Sequence, residues 1–279
     1  MIPDYLKIPA NELGVSTPVR IRILADAASL ARDLAQTMFD EILADERKGP
    51  GVTMIVPVGP VDQFPILAQM LNERSVSCRH TVFINMDEYL TDDDRWIPAE
   101  HPLSFRGYMQ RQFYDLIEPS LAPPPEHRLF PDPREPAAIQ RLIDARGGVD
   151  VCYGGVGING HIAFNEPPEA GEPLSVEAFA ALPTRVLSLS RETRTINSVT
   201  VGGELAVIPK RAITVGMKEI LATRRLRFYC NRPWQSGVIR RALHGPVTPA
   251  CPASLLRLHA DAVVTLADHV ATPPDIQLR

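Results

Sequence analysis

The chain has 279 residues, of which 45% are hydrophobic and 22% are charged, and its formal net charge is −4. This is a globular composition with enough residues for a sizeable core, in one large α/β domain or two small ones. The small negative charge and the lack of interleaved basic and aromatic residues argue against a nucleic-acid partner. No apolar run approaches the ~18 residues of a membrane span, and the N-terminus has no signal-like apolar segment, so we expect a cytoplasmic protein with no membrane partner.

Strand patterns alternate with helix patterns along the chain. Residues 1–18 are polar and contain prolines, which predicts an N-terminal arm that lies over the domain or over a neighbouring subunit. Strands are predicted at 19–24, 52–57, 81–86, from 149 to the glycines that follow, and at 186–190, 212–217, 226–230 and 262–266. Helices are predicted at 27–44, 65–72, 104–117, 137–146 and 233–243. This alternation predicts an α/β fold with a mainly parallel open sheet and helices on both faces, similar to a Rossmann fold.

The connections between these elements differ in character. Residues 90–102 are acidic and rich in turn formers, and 119–136 contain many prolines, which predicts an extended crossover. Residues 171–183 are predicted to be a mobile connection, and 191–209 are polar. The four cysteines are widely separated, with neither a disulfide pattern nor metal-ligand spacing, so we expect a reducing compartment and no metal site.

The strand that begins at Val149 runs into a glycine-rich loop containing Gly155-x-Gly157-x-x-Gly160. This pattern is also found in dinucleotide-binding proteins, where a helix begins inside it. Here Pro167 and Pro168 prevent a long helix, so we reject the nucleotide interpretation. The loop instead places His161 and Glu166 near a strand end, where an imidazole and a carboxylate can exchange a proton. A lone histidine is more often structural, but its position after the glycine turn favours a catalytic role.

Several segments together resemble the glucosamine-6-phosphate deaminase/isomerase family. They are GVGINGHIAFNEP at 155–167, NMDEY at 85–89, HPLSF at 101–105 and PKRAITVG at 209–216. The resemblance covers roughly residues 19–268 and continues across the proline-rich crossover, so we predict a single domain over 19–279. Part of the family forms hexamers, which leaves a homo-oligomer open for this chain.

The resemblance implies roles for individual residues. Asp87 would remove the C2 proton of a 2-amino aldose, and His161 would assist ring opening with Glu166 as its partner. The polar segment 191–209 would be a lid over the pocket. No cofactor is implied, because the proton transfers need only side chains and water. From the residues alone, Asp87 could instead be a helix cap and Glu166 a solvated loop carboxylate, and for Ser104 and Thr193 we prefer ordinary capping.

The chain departs from the family pattern at two places. Asn159 stands where the family has an aspartate, and an amide can hold one imidazole tautomer but adds no negative charge. The family cradles the phosphate with a Thr-Gly-Gly-Thr-Pro-like loop after the second strand, together with an Arg and a Lys. Here Pro60 removes an N–H donor from that loop and Asp62 adds a like charge. Val199 and Gln235 occupy the positions of the two cations, with Arg194 and Arg232 as nearby replacements.

We therefore predict an amino-sugar aldose–ketose isomerase/deaminase whose substrate differs from the usual 6-phosphate. The catalytic candidates are Asp87, Asn159, His161 and Glu166, and the substrate-binding candidates are Gly59, Pro60, Val61, Asp62, Arg194, Arg232 and Gln235. Asp87, His161 and Glu166 are expected to line one pocket at the carboxyl ends of neighbouring strands. The alternatives are a non-catalytic sugar-binding relative and a sugar lactonase, the latter opposed by the Phe-Asn-Glu sequence at 164–166.

Overall fold

Short apolar strands and amphipathic helices build a layered α/β structure. The computed structural model describes residues 2–46, 51–59, 62–169 and 171–277. The strands in these ranges are β1 (Arg20–Leu24), β2 (Thr53–Val56), β3 (Val82–Asn85), β4 (Asp87–Leu90), β5 (Arg128–Leu129), β6 (Val151–Gly154), β7 (Arg185–Ser188), β8 (Arg211–Thr214), β9 (Leu226–Cys230) and β10 (Ala262–Ala267). The helices are α1 (Ala27–Glu46), α2 (Gln63–Arg74), α3 (Phe105–Gln112), α4 (Ala138–Ala145), α5 (Val176–Ala180), α6 (Arg191–Asn197), α7 (Met217–Leu221), α8 (Gln235–His244) and α9 (Asp268–Ala271).

The main sheet is parallel and open. Among the described residues it has seven strands, in the order β1-β10-β9-β6-β2-β3-β5. Strands β2, β3, β6 and β10 are buried along their whole length, as expected when helices cover both faces of a sheet. This confirms the predicted fold class, a single-domain α/β protein with a mainly parallel open sheet.

A second, antiparallel sheet was not predicted. It has three strands in the described part of the chain, in the order β4-β8-β7. The predicted strands at 186–190 and 212–217 belong here, so the expectation that they join the parallel sheet was wrong. The chain changes sheets at Met86, whose N–H donates to Val56 O while its carbonyl accepts from Val215 N. Residues after Met86 therefore pair with a different set of strands. Because β4 begins with two acidic residues, its hydrophobic pattern does not predict a strand.

The predicted helices at 27–44, 65–72, 137–146 and 233–243 correspond to α1, α2, α4 and α8, with ends shifted by a few residues. The helix predicted at 104–117 is shorter, because α3 ends at Gln112 and a 3₁₀ turn follows at Tyr114–Leu116. The crossover 119–136 contains a 3₁₀ turn and β5, and the predicted mobile connection 171–183 contains α5. No helix within the described ranges is long and apolar enough to cross a bilayer.

The N-terminal arm lies against α8 of its own chain. It contains 3₁₀ turns at Asp4–Lys7 and Ala10–Glu12. The fully buried Arg240 of α8 donates from Nε to Ile8 O at 2.9 Å, and Gly14 N donates to His244 Nε2 at 3.2 Å. The arm was predicted to lie either over its own domain or over a neighbouring subunit. These contacts correspond to the first of the two placements.

Candidate active site

A cavity of about 420 Å³ opens at the carboxyl ends of the central parallel strands. Its wall includes residues that directly follow β2, β3, β6 and β9, because parallel strands end at the same edge of a sheet. The polar side chains that line it include those of Asp87, Tyr89, Ser104, Tyr108, His161, Asn197, Thr200, Asn231, Arg232 and Gln235. This size and mixed lining suit a small polar molecule such as a sugar.

Asp87 lies where the chain passes from the parallel to the antiparallel sheet. Side chains alternate along an extended strand, so Asp87 and Tyr89 share the face of β4 that lines the cavity. Asp87 is 8% exposed, and among the described residues no donor binds its carboxyl group. Burial raises the pKa of Asp87 to about 8, and the charge of Glu88 adds to the rise. A carboxyl group with such a pKa can exchange a proton near neutral pH.

Glu88 points the other way and organises the wall of the cavity. Its Oε2 accepts from Ser104 Oγ at 2.8 Å and from the backbone N–H of Arg106 at 2.9 Å, while Oε1 accepts from Phe105 N at 3.1 Å. A carboxylate at this place accepts hydrogen bonds from the first amides of α3, and its negative charge interacts favourably with the helix dipole. Ser104 is also the N-cap of α3, where its hydroxyl accepts from Gly107 N as predicted. Glu88 thus ties the strand that carries Asp87 to the helix beside it.

His161 is held by Asn159 on its own loop. His161 Nδ1 lies 2.9 Å from Asn159 Oδ1, and Asn159 Nδ2 donates to Glu166 Oε2 at 2.6 Å. The Glu166 carboxylate can only accept a hydrogen bond, so it faces the Asn159 NH₂ group. The backbone N–H of His161 donates to Asn159 Oδ1, and together these two contacts fix the orientation of the Asn159 amide. Asn159 Oδ1 can only accept, so the neutral imidazole carries its proton on Nδ1. The Nε2 lone pair of His161 is then left to accept a proton within the cavity.

Glu166 supplies the negative charge that Asn159 lacks. Its Oε2 lies 3.6 Å from His161 Nδ1 and accepts from the Ser190 hydroxyl at 3.2 Å, while its Oε1 accepts from the backbone N–H of Ser190 at 3.2 Å. Burial by itself raises the pKa of Glu166, but the hydrogen bonding and charge of His161, with help from Asn159 and Thr193, outweigh it and hold the pKa at about 2. Glu166 is therefore ionised at neutral pH and stabilises a positive charge on His161.

Three predictions about this group of residues were wrong. Thr193 is not an ordinary cap: Ser190 caps α6, and Thr193 Oγ1 lies 3.1 Å from His161 Nδ1. Glu166 does not line the cavity. It lies behind His161, whose imidazole separates it from the cavity. The strands that precede Asp87 and His161, β3 and β6, are also not neighbours, because β2 lies between them.

The glycines of the loop allow this close packing. A Cβ added at Gly157 would lie 2.0 Å from both Nε2 and Cε1 of His161. Gly160 has φ +92, and a Cβ there would lie 2.7 Å from Cys251 Sγ. These contacts explain the glycine pattern without a nucleotide.

We expect Gly157→Ala to displace the His161 imidazole and to lower turnover by roughly a hundredfold, since a shift of about 1 Å in a reacting group has an effect of this size. The matched control is Gly155→Ala, whose added Cβ would meet its nearest atom, Tyr229 O, at 3.4 Å. Steady-state kinetics of both variants with an amino-sugar substrate would measure the difference. Equal activities of the two variants would show that the position of the imidazole does not matter.

The candidates for binding the distal end of a substrate are only partly brought together. Gly59, Arg232 and Gln235 line the cavity, whereas Asp62, Arg194 and Val199 do not. Gln235 is buried and donates to Val156 O at 2.7 Å, and its Oε1 accepts from Arg232 N at 2.8 Å. Gln235 therefore serves the wall of the cavity.

The remaining candidates either do not line the cavity or fall outside the described residues. Arg194 donates from Nη2 to Leu205 O, and Asp62 precedes α2 with an exposed side chain. Pro60 and Val61 fall outside the residues that the structure describes. Of the cavity-lining residues in the described part of the chain, Arg232 has the one cationic Lys or Arg side chain.

Sequence reasoning missed Tyr89 and Asn197 as parts of the cavity. Both line it, and Asn197 Nδ2 donates to Tyr89 Oη at 2.9 Å. Tyr89 lies in the NMDEY segment two residues after Asp87, so the period of a β-strand would have found it if 87–90 had been recognised as a strand. Asn197 comes from α6, and no local pattern places it there.

Similar proteins were found among curated sequences and solved structures, although no family model matches the chain. Glucosamine-6-phosphate deaminase of Porphyromonas gingivalis is 33% identical over 215 residues, which is 75% of this chain and 76% of the relative. The deaminase of the same name from Exiguobacterium sibiricum is 30% identical over 250 residues, which is 90% of this chain and 91% of the relative.

Solved structures agree in fold. A monomeric glucosamine-6-phosphate deaminase superposes with a TM-score of 0.77 at 24% identity, over 91% of this chain and 99% of that one. A 6-phosphogluconolactonase from Trypanosoma cruzi superposes with a TM-score of 0.62 at 15% identity, over 91% and 96% of the two chains. At these identities the likeness concerns the fold alone, whereas the curated sequences show the family. The chain belongs to the glucosamine-6-phosphate deaminase family of enzymes.

Proposed function

We propose that this protein converts a 2-amino-2-deoxy aldose and water into a ketose and ammonia, with Asp87 and His161 as its proton-transfer groups. One observation carries the proposal: the buried carboxyl of Asp87 and the open Nε2 of His161 line the same cavity. Three of the catalytic candidates, His161, Asn159 and Glu166, form one hydrogen-bonded chain. Family membership supports the same chemistry, as curated relatives carry the name of this deaminase.

His161 is proposed to open the sugar ring. Its Nε2 accepts the proton of the anomeric hydroxyl and returns a proton to the ring oxygen, which gives the open-chain aldehyde. The imidazolium formed in between is stabilised by Glu166, whose charge reaches Nδ1 directly at 3.6 Å and through the Asn159 amide. Glu166, acting directly and through Asn159, therefore supplies the negative charge that an aspartate at position 159 would bring.

Asp87 is proposed to move the proton that makes the ketose. It removes the proton from C2, which leaves an enolamine, and a proton then returns to C1 to give an imine at C2. Water adds to C2 and ammonia leaves, so that the amino sugar and one water become a ketose and one ammonia. A carboxyl group with a pKa near the working pH can both take up and release the proton.

We expect kcat/KM to rise with pH and to level off above about pH 8. Asp87 must be ionised to take the C2 proton, and its pKa in the folded protein is raised to about 8. The ionised fraction then falls about tenfold for each pH unit below that value, since kcat/KM reports the free enzyme. Initial rates of ammonia release between pH 6 and 9.5 measure the profile. A flat profile between pH 6 and 8 would contradict the assignment of Asp87 as the base.

The distal end of the substrate is proposed to be neutral or held by one cation. Arg232 lines the cavity with an exposed side chain, and Gln235 and Val199 replace the two cations of the family pattern. A phosphate held by one exposed guanidinium gains less than one held by several cations, and salt screens the attraction. We therefore expect the unphosphorylated amino sugar to compete well with glucosamine 6-phosphate.

The test compares glucosamine 6-phosphate with glucosamine and galactosamine. Ammonia release and calorimetric binding are measured at several ionic strengths, for the unmodified protein and for Arg232→Gln. Ammonia release from an unphosphorylated sugar, with phosphate adding less than about tenfold to kcat/KM, would support the proposal. Micromolar, salt-sensitive binding of glucosamine 6-phosphate with full turnover would show that other groups have rebuilt a phosphate site. No ammonia from any amino sugar would overturn the proposed reaction.

The compartment and the assembly of the protein stay predictions. A reducing cytoplasm is supported by the four cysteines, which are buried and form no disulfide in the described residues. A homo-oligomer can be tested by sedimentation at micromolar concentration.

A further inference from the structure

Tyr89 faces the cavity from the same side of the same strand as Asp87. Residues two apart on an extended strand lie about 6.6 Å apart along its axis, which is close to the length of one sugar ring. The polar residues that line the cavity therefore include three groups: Asp87 and His161, Arg232, and the pair Tyr89 and Asn197.

The Tyr89 ring is fixed by its neighbours. It is 4% exposed, and its centroid lies 4.9 Å from that of Phe105 and 5.5 Å from that of Phe164. Packing of this kind holds the direction of the phenol group, because a tyrosine ring has only two rotatable bonds. Burial raises the pKa of Tyr89, so its hydroxyl stays protonated and remains a donor at any physiological pH.

The hydrogen bonds of Tyr89 and Asn197 are incomplete. Tyr89 Oη accepts from Asn197 Nδ2 at 2.9 Å, which leaves the phenol proton free to donate. No acceptor for that proton, and no donor to Asn197 Oδ1, is found among the described residues. Both groups line the cavity, so the pair presents one donor and one acceptor side by side.

We infer that Tyr89 and Asn197 form a subsite for the hydroxyl groups at C3 and C4 of the substrate and determine specificity at those carbons. The inference rests on the proposed function. A vicinal diol matches the pair: one hydroxyl accepts from the Tyr89 phenol while its neighbour donates to Asn197 Oδ1. The reacting carbons C1 and C2 belong near Asp87 and His161, so the next hydroxyls along the sugar are those that reach Tyr89.

The subsite is built from two segments that also hold the reacting groups. Tyr89 shares β4 with Asp87, and Asn197 ends α6, the helix from which Thr193 contacts His161. A sugar bound between them is therefore aligned with both proton-transfer groups. The wrong hydroxyl pattern would leave a buried donor or acceptor without a partner, which is a strong source of discrimination.

The test is Tyr89→Phe, which keeps the ring and removes only the hydroxyl. The kinetics of ammonia release are measured with the amino sugar that turns over best and with its 3-deoxy and 4-deoxy analogues. The unmodified protein should lose roughly ten- to a hundredfold in kcat/KM on at least one analogue. Tyr89→Phe should show a similar loss on the parent sugar and less than about threefold further loss on that analogue. Asn197→Ala should reduce discrimination in the same way.

The matched control is Tyr114→Phe. Tyr114 is also buried, and its Oη also accepts from an asparagine, Asn85 Nδ2 at 3.4 Å, but it does not line this cavity. It should discriminate between the sugars as the unmodified protein does. If Tyr89→Phe loses the same factor on the parent and on both analogues, the hydroxyl is only structural and the subsite is overturned, while the proposed function stands. If the unmodified protein neither binds amino sugars in calorimetry nor releases ammonia from them, both fall.

Discussion

Asp87→Asn should lower turnover sharply and yet make the folded protein more stable at alkaline pH. An amide cannot take the C2 proton, and loss of a general base lowers rates by about 10²–10⁴. The side chain is nearly the same size, so the cavity and the sheet junction keep their shape. Ammonia release and thermal unfolding are the two measurements.

The stability effect follows from the pKa of Asp87. An ordinary aspartate has a pKa of about 3.9, and burial beside Glu88 raises that of Asp87 to about 8 in the folded state. Between these values the unfolded chain is ionised while the folded protein still holds the proton. The unmodified protein therefore loses stability as the pH rises from about 4 to 8, and the loss is complete above 8. The variant lacks this dependence, so its advantage should grow over that range to a few kcal/mol.

The control for this prediction is Asp92→Asn, which changes an exposed aspartate on the loop after β4. It should leave both turnover and the pH dependence of stability as they are. Parallel stability curves for Asp87→Asn and the unmodified protein would show that the Asp87 pKa is not raised. Retention of more than about a tenth of the turnover would show that another group removes the C2 proton.

His161→Gln should lower kcat by about 10²–10⁴ with little change in the affinity for an open-chain analogue. Glutamine can make hydrogen bonds from a similar position, but it does not exchange protons near neutral pH. The corresponding open-chain amino alcohol needs no ring opening, so its Kd in calorimetry should stay within a few-fold. The loss would then lie in the chemical step.

Thr193→Val separates proton transfer from positioning. It removes one contact to His161 Nδ1, at 3.1 Å, and leaves the contact to Asn159 at 2.9 Å. We expect a loss of less than about tenfold, because the Asn159 contact still fixes the tautomer. A loss as large as that of His161→Gln would mean that Thr193 is essential for the orientation of the ring.

A His161→Gln variant whose kcat lies within tenfold of that of the unmodified protein would rule out His161 as a proton-transfer group.

The sequence alone determined the main parallel sheet and placed the two proposed proton-transfer residues at its edge. Alternating apolar strands and amphipathic helices predict a parallel sheet because their periods depend on local geometry. Pro167 and Pro168 exclude a long helix after the glycine loop for the same local reason. Asp87 and His161 could be placed in one pocket because parallel strands end at a common edge. These inferences need only short stretches of chain and one rule of topology.

Only the tertiary structure showed how the site is completed. The antiparallel sheet, the Glu166 carboxylate behind the Asn159 amide and the pairing of Tyr89 with Asn197 all join segments far apart in sequence. The high pKa of Asp87 has the same origin, since its main cause is the burial of the carboxyl group in the folded chain. Asn159 shows the difference most clearly. Its position in the sequence shows that the family's aspartate is missing, and its contacts show that Glu166 supplies a carboxylate at this place. Local periodicity carries no information about such contacts, because burial and electrostatic coupling depend on which distant residues the fold brings within a few ångströms.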